Sequence, residues 1–151
     1  MPETTEQKKL LRLQARRRGH LKAAVKRYAK VFNMSYWFQV QEDAIFSHTL
    51  AGASLVFAHT YSGWLDQKIK ETPLNRFEEC GTTCCLAGLD YKRSGRSVKE
   101  QSLFYGLNWD VYQPTQWPYY LRMHYNTAKQ ANDFNGMADA ACLAIDHFAV
   151  K

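Results

Sequence analysis

Three cysteines within six residues, Cys80, Cys84 and Cys85, and a fourth at Cys142 are the side chains of this sequence best suited to bond-making chemistry. A cysteine beside a helix start has a depressed pKa and attacks as its thiolate. Catalysis then needs a histidine within reach and a third group to orient it. His124 and His147 are available, but spacing indicates no acid or amide partner for either. Cys84 and Cys85 also stand in an apolar run, where reduced cysteine packs as a small core residue. Zinc is no better served. The three clustered cysteines lack the paired short intervals of structural zinc sites, and a fourth ligand such as Cys142 or His147 has to come from afar. His48 and His59 share a helical face but stand three turns apart, about 16 Å, too far for one ion. There is no Gly-rich phosphate loop, paired catalytic carboxylates or His-Glu-x-x-His pattern. The expectation is a non-enzyme with packed, reduced cysteines, no catalytic residue, no metal and no cofactor.

Binding chemistry is better represented. Ten of the twenty Lys and Arg residues lie in Lys8–Lys30, and no Asp or Glu occurs between Glu6 and Glu42. From residue 34 onward ten basic side chains face twelve acidic ones, a net charge of −2, against +6 for the whole chain. A cationic rod on a near-neutral body wants an acidic partner, and an unbroken run of cations suits the phosphates of a nucleic acid. The candidate contacts are Lys8, Lys9, Arg12, Arg16, Arg17, Arg18, Lys22, Lys26, Arg27 and Lys30. A second candidate is the set of eight rings between Phe104 and Tyr125. Exposed, such rings stack on unpaired bases at about 1–3 kcal/mol each; more often they pack internally. Trp109, Tyr112, Trp117 and Tyr119 are the candidates for a shallow partner-binding patch, since Trp and Tyr anchor interfaces.

Helical periodicity has to position these groups. At 100° per residue Leu10, Leu13, Leu21, Ala24, Val25, Tyr28, Val31 and Phe32 fall on one side of the rod, and most of the cations fall on the other. Arg17 lies in the apolar stripe, where its stem packs and its head escapes to water. Gly19 costs about 1 kcal/mol against Ala inside a helix. The reading is therefore a docked helix over Leu21–Phe32, ended by Asn33, with Lys8–Arg18 as a frayed extension that orders on a partner. Thr4 or Thr5 caps the start.

Ser35–Gln41 alternates like a strand but has no evident partner, so a helical or irregular connector is expected. Glu42–Tyr61 reads as a buried helix. Trp64–Glu71 begins a short amphipathic one, ended at Thr72-Pro73. Cys80–Gly88 reads as a tight turn entering a helix, and Lys92–Lys99 as a polar loop. Ser97 with Glu100 forms a capping box for Val98–Gly106. Asn108–Trp117 is an aromatic loop, Pro118 opens a helix from Tyr119 to about Ala131, and a turn over Asn132–Gly136 leads into Met137–Val150. The fold class is all-α or nearly so, a single compact helical domain over 34–151 preceded by a basic helix or arm over 1–33. Its core is expected from Glu42–Tyr61, Thr83–Leu89 and Met137–Val150.

Two resemblances enter here. Cys80-Gly81-Thr82-x-x-Cys85-Leu86-Ala87-Gly88, followed by Leu103-Phe104-Tyr105 and Trp117-Pro118, resembles a scattered group of small phage, plasmid and bacterial proteins. These carry Cys-Gly-Thr-x-x-Cys-aliphatic-Ala-Gly, a later Leu-Phe-Tyr, and a Trp-Pro before a closing helix. The likeness covers about Trp64–Phe148; it implies a mobile-element origin and a mostly helical fold and brings no activity with it. The local text Cys80-Gly-x-x-Cys84 is similar to that of papain-like enzymes, a likeness of three letters over five positions.

A length of 151 residues with 46% apolar content suits one domain with a real core. No run of 18 apolar residues predicts a membrane span. The start Met-Pro-Glu-Thr-Thr-Glu lacks a signal-peptide layout, which points to the cytoplasm and reduced cysteines. Two functions fit. One is a small nucleic-acid-binding accessory protein of phage or plasmid type, with DNA or RNA undetermined. The other is a protein-directed inhibitor or adaptor, for instance an anti-defence protein, that blocks an acidic or nucleic-acid-binding host protein.

Overall fold

The computed structural model describes residues 4–32, 34, 38–41, 55–57, 71, 73–74 and 82–150. Among them five α-helices carry the architecture: α1 Thr5–Arg27, α2 Leu86–Ser94, α3 Val98–Tyr105, α4 Tyr119–Gln130 and α5 Phe134–His147. The helical class read from periodicity is the class observed.

Helix boundaries follow their capping chemistry. The Thr4 side chain accepts from Gln7 N at 3.1 Å, and the Gln7 side chain answers the Thr4 N–H at 2.7 Å, so α1 begins on a capping box. Ser97 and Glu100 form the same box on α3, as their spacing predicts. α2 ends at Gly95 and α3 at Gly106, both left-handed (φ 78° and 62°). α5 starts three residues earlier than the sequence reading placed it, because Asn132 takes the left-handed turn (φ 53°) and the Asp133 side chain caps Gly136 N at 3.0 Å. α1 ends at Arg27, before Asn33, and Ala29–Val31 tightens into a single 3₁₀ turn.

The core sits where α1, α4 and α5 meet. Leu21, Val25, Ala29, Val31 and Phe32 pack with Leu86, Leu89, Leu121, Tyr125, Met137, Ala141, Ala144 and Ile145, all buried. The chain from Leu21 to Phe32 therefore packs into the core, as its apolar stripe predicts. Met137–Val150 supplies its share as expected.

One small element departs from the helical reading. Phe38–Gln41 (β1) pairs antiparallel with Leu55–Phe57 (β2) on one side and Thr82–Cys84 (β3) on the other, in the order β2-β1-β3. Gln39 faces Phe57 across one ladder and Thr83 across the other. The strand-like alternation of Ser35–Gln41 was thus the better cue, and its partners lie in stretches read as helix and as turn. Short apolar runs do not distinguish strand from buried helix, and these partners lie 14 or more positions away in sequence. The rest of the expected helix Glu42–Tyr61, with His48 and His59, and the expected helix Trp64–Glu71 apart from Glu71 lie outside the described residues.

Candidate nucleic-acid interface

α1 divides its cations between two tasks. Three neighbouring side chains one turn apart, Gln14, Arg17 and Arg18, turn inward and hold the end of α3. Gln14 Nε2 donates to Leu103 O at 3.1 Å, Arg17 to Phe104 O at 3.0 Å and Arg18 to Tyr105 O at 2.7 Å. The last carbonyls of a helix have no intrahelical partner and carry the negative end of its dipole, so two guanidinium groups and an amide are apt caps. Arg17 also lies 3.9 Å from the Phe104 ring centroid, and Arg96 lies 3.5 Å from the same centroid. Two groups that close to one centroid occupy opposite faces, so Phe104 is sandwiched and cannot stack on a base.

These contacts correct two sequence expectations. Arg17 holds its head against the end of α3, where it and Arg18 serve as structural caps, and Lys8–Arg18 is continuous helix. Lys22 is also engaged: its ammonium is 2.8 Å from Asp146 of α5. What remains on the open face are Lys8, Lys9, Arg12, Arg16, Lys26, Arg27 and Lys30, all exposed. Lys9 has a loose pairing with Glu6 at 3.8 Å, and Arg27 stands 5.4 Å from the Tyr28 ring centroid. Among the described residues Lys8, Arg12, Arg16 and Lys26 have no acidic partner within ion-pair distance. The apolar stripe, by contrast, fades toward the N-terminus, where Leu10 and Leu13 are exposed.

Sequence reading missed a second source of positive charge. Lys92 and Arg93 in the last turn of α2, and Arg96 just beyond it, stand across a cavity of about 500 Å³ from Arg17, His20 and Tyr28 of the α1 segment. The signal was present as Lys92-Arg93-x-x-Arg96 but was taken for a polar loop. Behind these residues the Asp90 carboxylate is 1% exposed; it accepts from the Tyr105 hydroxyl and from Ser94 and lies 3.5 Å from Arg96 and 4.0 Å from Arg93. Burial, followed by the Asp90 charge, raises the Tyr105 hydroxyl pKa well above its usual range, which keeps it a donor.

The aromatic candidates separate. Trp117 is 2% exposed, donates Nε1–H to Val111 O at 3.0 Å and meets Tyr125 edge-on at 5.7 Å, so it is core and not a partner contact. Tyr112 is half-buried, with a buried hydroxyl that has no hydrogen-bond partner among the described residues, and it meets Trp109 edge-on at 6.1 Å. Trp109 is 49% and Tyr119 69% exposed, and those two remain available.

Cys85 caps α2, its Sγ accepting from Gly88 N at 3.4 Å, and burial pushes its thiol pKa up. Burial also raises the Cys142 thiol, to about 11, against the opposing pull of Lys26 and Lys22. Neither is a thiolate near neutrality. Cys80 and the Cys84 side chain lie outside the described residues. Within the described residues no three His, Cys, Asp or Glu side chains gather as a metal site, and no helix is long and apolar enough to cross a membrane. Comparison with protein-family models, curated proteins and solved structures finds no match to this chain.

Proposed function

We propose that this chain is a small non-enzymatic nucleic-acid-binding accessory protein that grips phosphates through the open face of α1. The observation that carries the reading is the division of labour along that helix. Cations that fall on the packed side are capped, stacked or paired, whereas Lys8, Arg12, Arg16 and Lys26 are exposed and, among the described residues, have no acidic partner within ion-pair distance. A purely structural surface helix interleaves its charges. Twenty-three helical residues extend about 34 Å, one helical turn of duplex, which lets a row of side chains follow a groove edge. Lys and Arg side chains on this face suit phosphate oxygens, so positioning on the backbone is expected to dominate over base readout.

Fluorescence anisotropy against duplex DNA, single-stranded DNA and RNA at graded salt tests the reading. With four to six phosphates engaged, log K falls with log salt at a slope of about −4 to −5 on duplex DNA. Should none of the three bind below about 100 μM at 50 mM salt, weaker than ordinary non-specific binding, the protein-directed alternative takes over. An acidic or nucleic-acid-binding protein then becomes the partner to isolate.

A further inference from the structure

The cavity between α1 and the α2–α3 junction is not needed for a helix that lies along a groove, yet it is strongly cationic. Among the described residues Arg17, Lys92, Arg93 and Arg96 line it together with His20, and no Asp or Glu does. Tyr28, Leu74, Phe104 and Tyr105 supply its apolar wall. Its volume of about 500 Å³ falls within the range of small-molecule sites. The guanidinium groups are held in place: Arg96 between Asp90 and the Phe104 ring, Arg17 between Phe104 O and the other ring face, and Arg93 beside Asp90. Each guanidinium carries five N–H donors, and these contacts leave several of them unused. Fixed forks of this kind match the oxygens of a phosphate, and pre-positioning lowers the entropy lost on binding.

We propose that this cavity binds the phosphomonoester of a nucleotide, with the phosphate on Arg93, Arg96 and Arg17 and the nucleoside against Tyr28 and Leu74. A terminal phosphate, with its second negative charge, suits a pocket walled by four cations better than an internal diester does. The source is either the 5′-phosphate of a strand held along α1, which rests on the proposed nucleic-acid reading, or a free mononucleotide, which does not.

Calorimetric titration of the intact protein with a 5′-phosphorylated and a 5′-hydroxyl oligothymidylate, and separately with AMP and adenosine, tests it. The phosphate-bearing member of at least one pair is expected to bind about ten- to a hundredfold more tightly, the effect of charged hydrogen bonds. Arg93→Gln should abolish that difference while Arg122→Gln, exposed on α4 and off the cavity, leaves it intact. Arg93→Gln retains the closer Arg96–Asp90 pair, and His20→Ala, at an exposed position, is a second variant that spares the fold. A difference confined to the oligonucleotides identifies the strand end; one seen with AMP identifies the free nucleotide, even if no oligonucleotide binds. If oligonucleotides bind equally with and without the 5′-phosphate and AMP binds no better than adenosine, the cavity proposal fails and the α1 reading stands. A phosphate preference that survives both Arg93→Gln and His20→Ala overturns it as well.

Discussion

Arg16 and Arg17 are adjacent in sequence and opposite in role, and replacing each by Ala separates the two. Arg17→Ala removes a charged donor 3.0 Å from Phe104 O and a cation 3.9 Å from the Phe104 ring. A hydrogen bond from a charged group is worth about 1.5–3 kcal/mol net, and a partly desolvated cation–π contact about 1–2. Because Arg17 is only partly buried and Arg96 still covers the other ring face, the joint loss should be about 2–3 kcal/mol rather than the full sum. For a chain of this size that lowers Tm by about 5–10 °C. Arg16→Ala removes an exposed side chain with no partner among the described residues and should stay within about 0.5 kcal/mol of the parent. Urea denaturation followed by circular dichroism reads both. Binding should show the reverse order: Arg16→Ala reduces the salt slope on duplex DNA by about 0.9, and Arg17→Ala leaves it nearly unchanged. Equal stability of the two variants would refute the division of α1 into a capping face and a binding face.

Three further outcomes follow from the packing. Gly106→Ala should destabilise by about 2 kcal/mol, since its φ of 62° disfavours a Cβ and that Cβ would stand 2.6 Å from the Gln14 Oε1 that belongs to the α3 cap; a neutral result by denaturation contradicts this. Stability should decline in alkali: the Cys142 thiol, raised by burial from 9.0 to about 11, and the Tyr125 hydroxyl, raised by burial from 10.0 to about 12, both favour their neutral forms when folded. Their contribution is complete below pH 9 and is lost as pH rises from 9 through 11 and 12, so denaturation midpoints should hold from pH 7 to 8 and fall above 9. Cys85 should resist alkylation at pH 6 in the folded protein, and Cys85→Ala should cost about 1 kcal/mol through the lost cap and volume; rapid modification of Cys85 would reveal a thiolate and reopen the nucleophile reading.

The cap at Thr4, the capping box at Ser97, the closing helix with Met137, Ala141 and Ile145 inward, and the charge segregation of Lys8–Lys30 were legible in the sequence, because each depends on residues close in the chain; that Gln7 completes a box with Thr4 was not read. What was not legible is long-range. Nothing local says that Arg17 and Arg18 reach carbonyls 87 residues away, or that Lys92, Arg93 and Arg96 complete a cavity with the α1 segment. Trp117 misled as an interface candidate because Trp composition alone does not reveal that Val111 O satisfies its indole N–H inside the core. The small sheet escaped for the same reason: a three-residue strand such as Leu55–Phe57 has too few positions for its period to show, and only its partner defines it.

The central claim is that the open face of α1 is a phosphate-binding surface, and the salt dependence of duplex binding tests it most directly. Replacing Lys8, Arg12, Arg16 and Lys26 by Gln removes four exposed cations that make no ion pair among the described residues, and leaves the Gln14, Arg17, Arg18 and Lys22 contacts in place. The account predicts that the slope of log K against log salt flattens by about 3 to 4 at four phosphates lost, with unchanged helicity and Tm. An unchanged slope in that folded variant would contradict it.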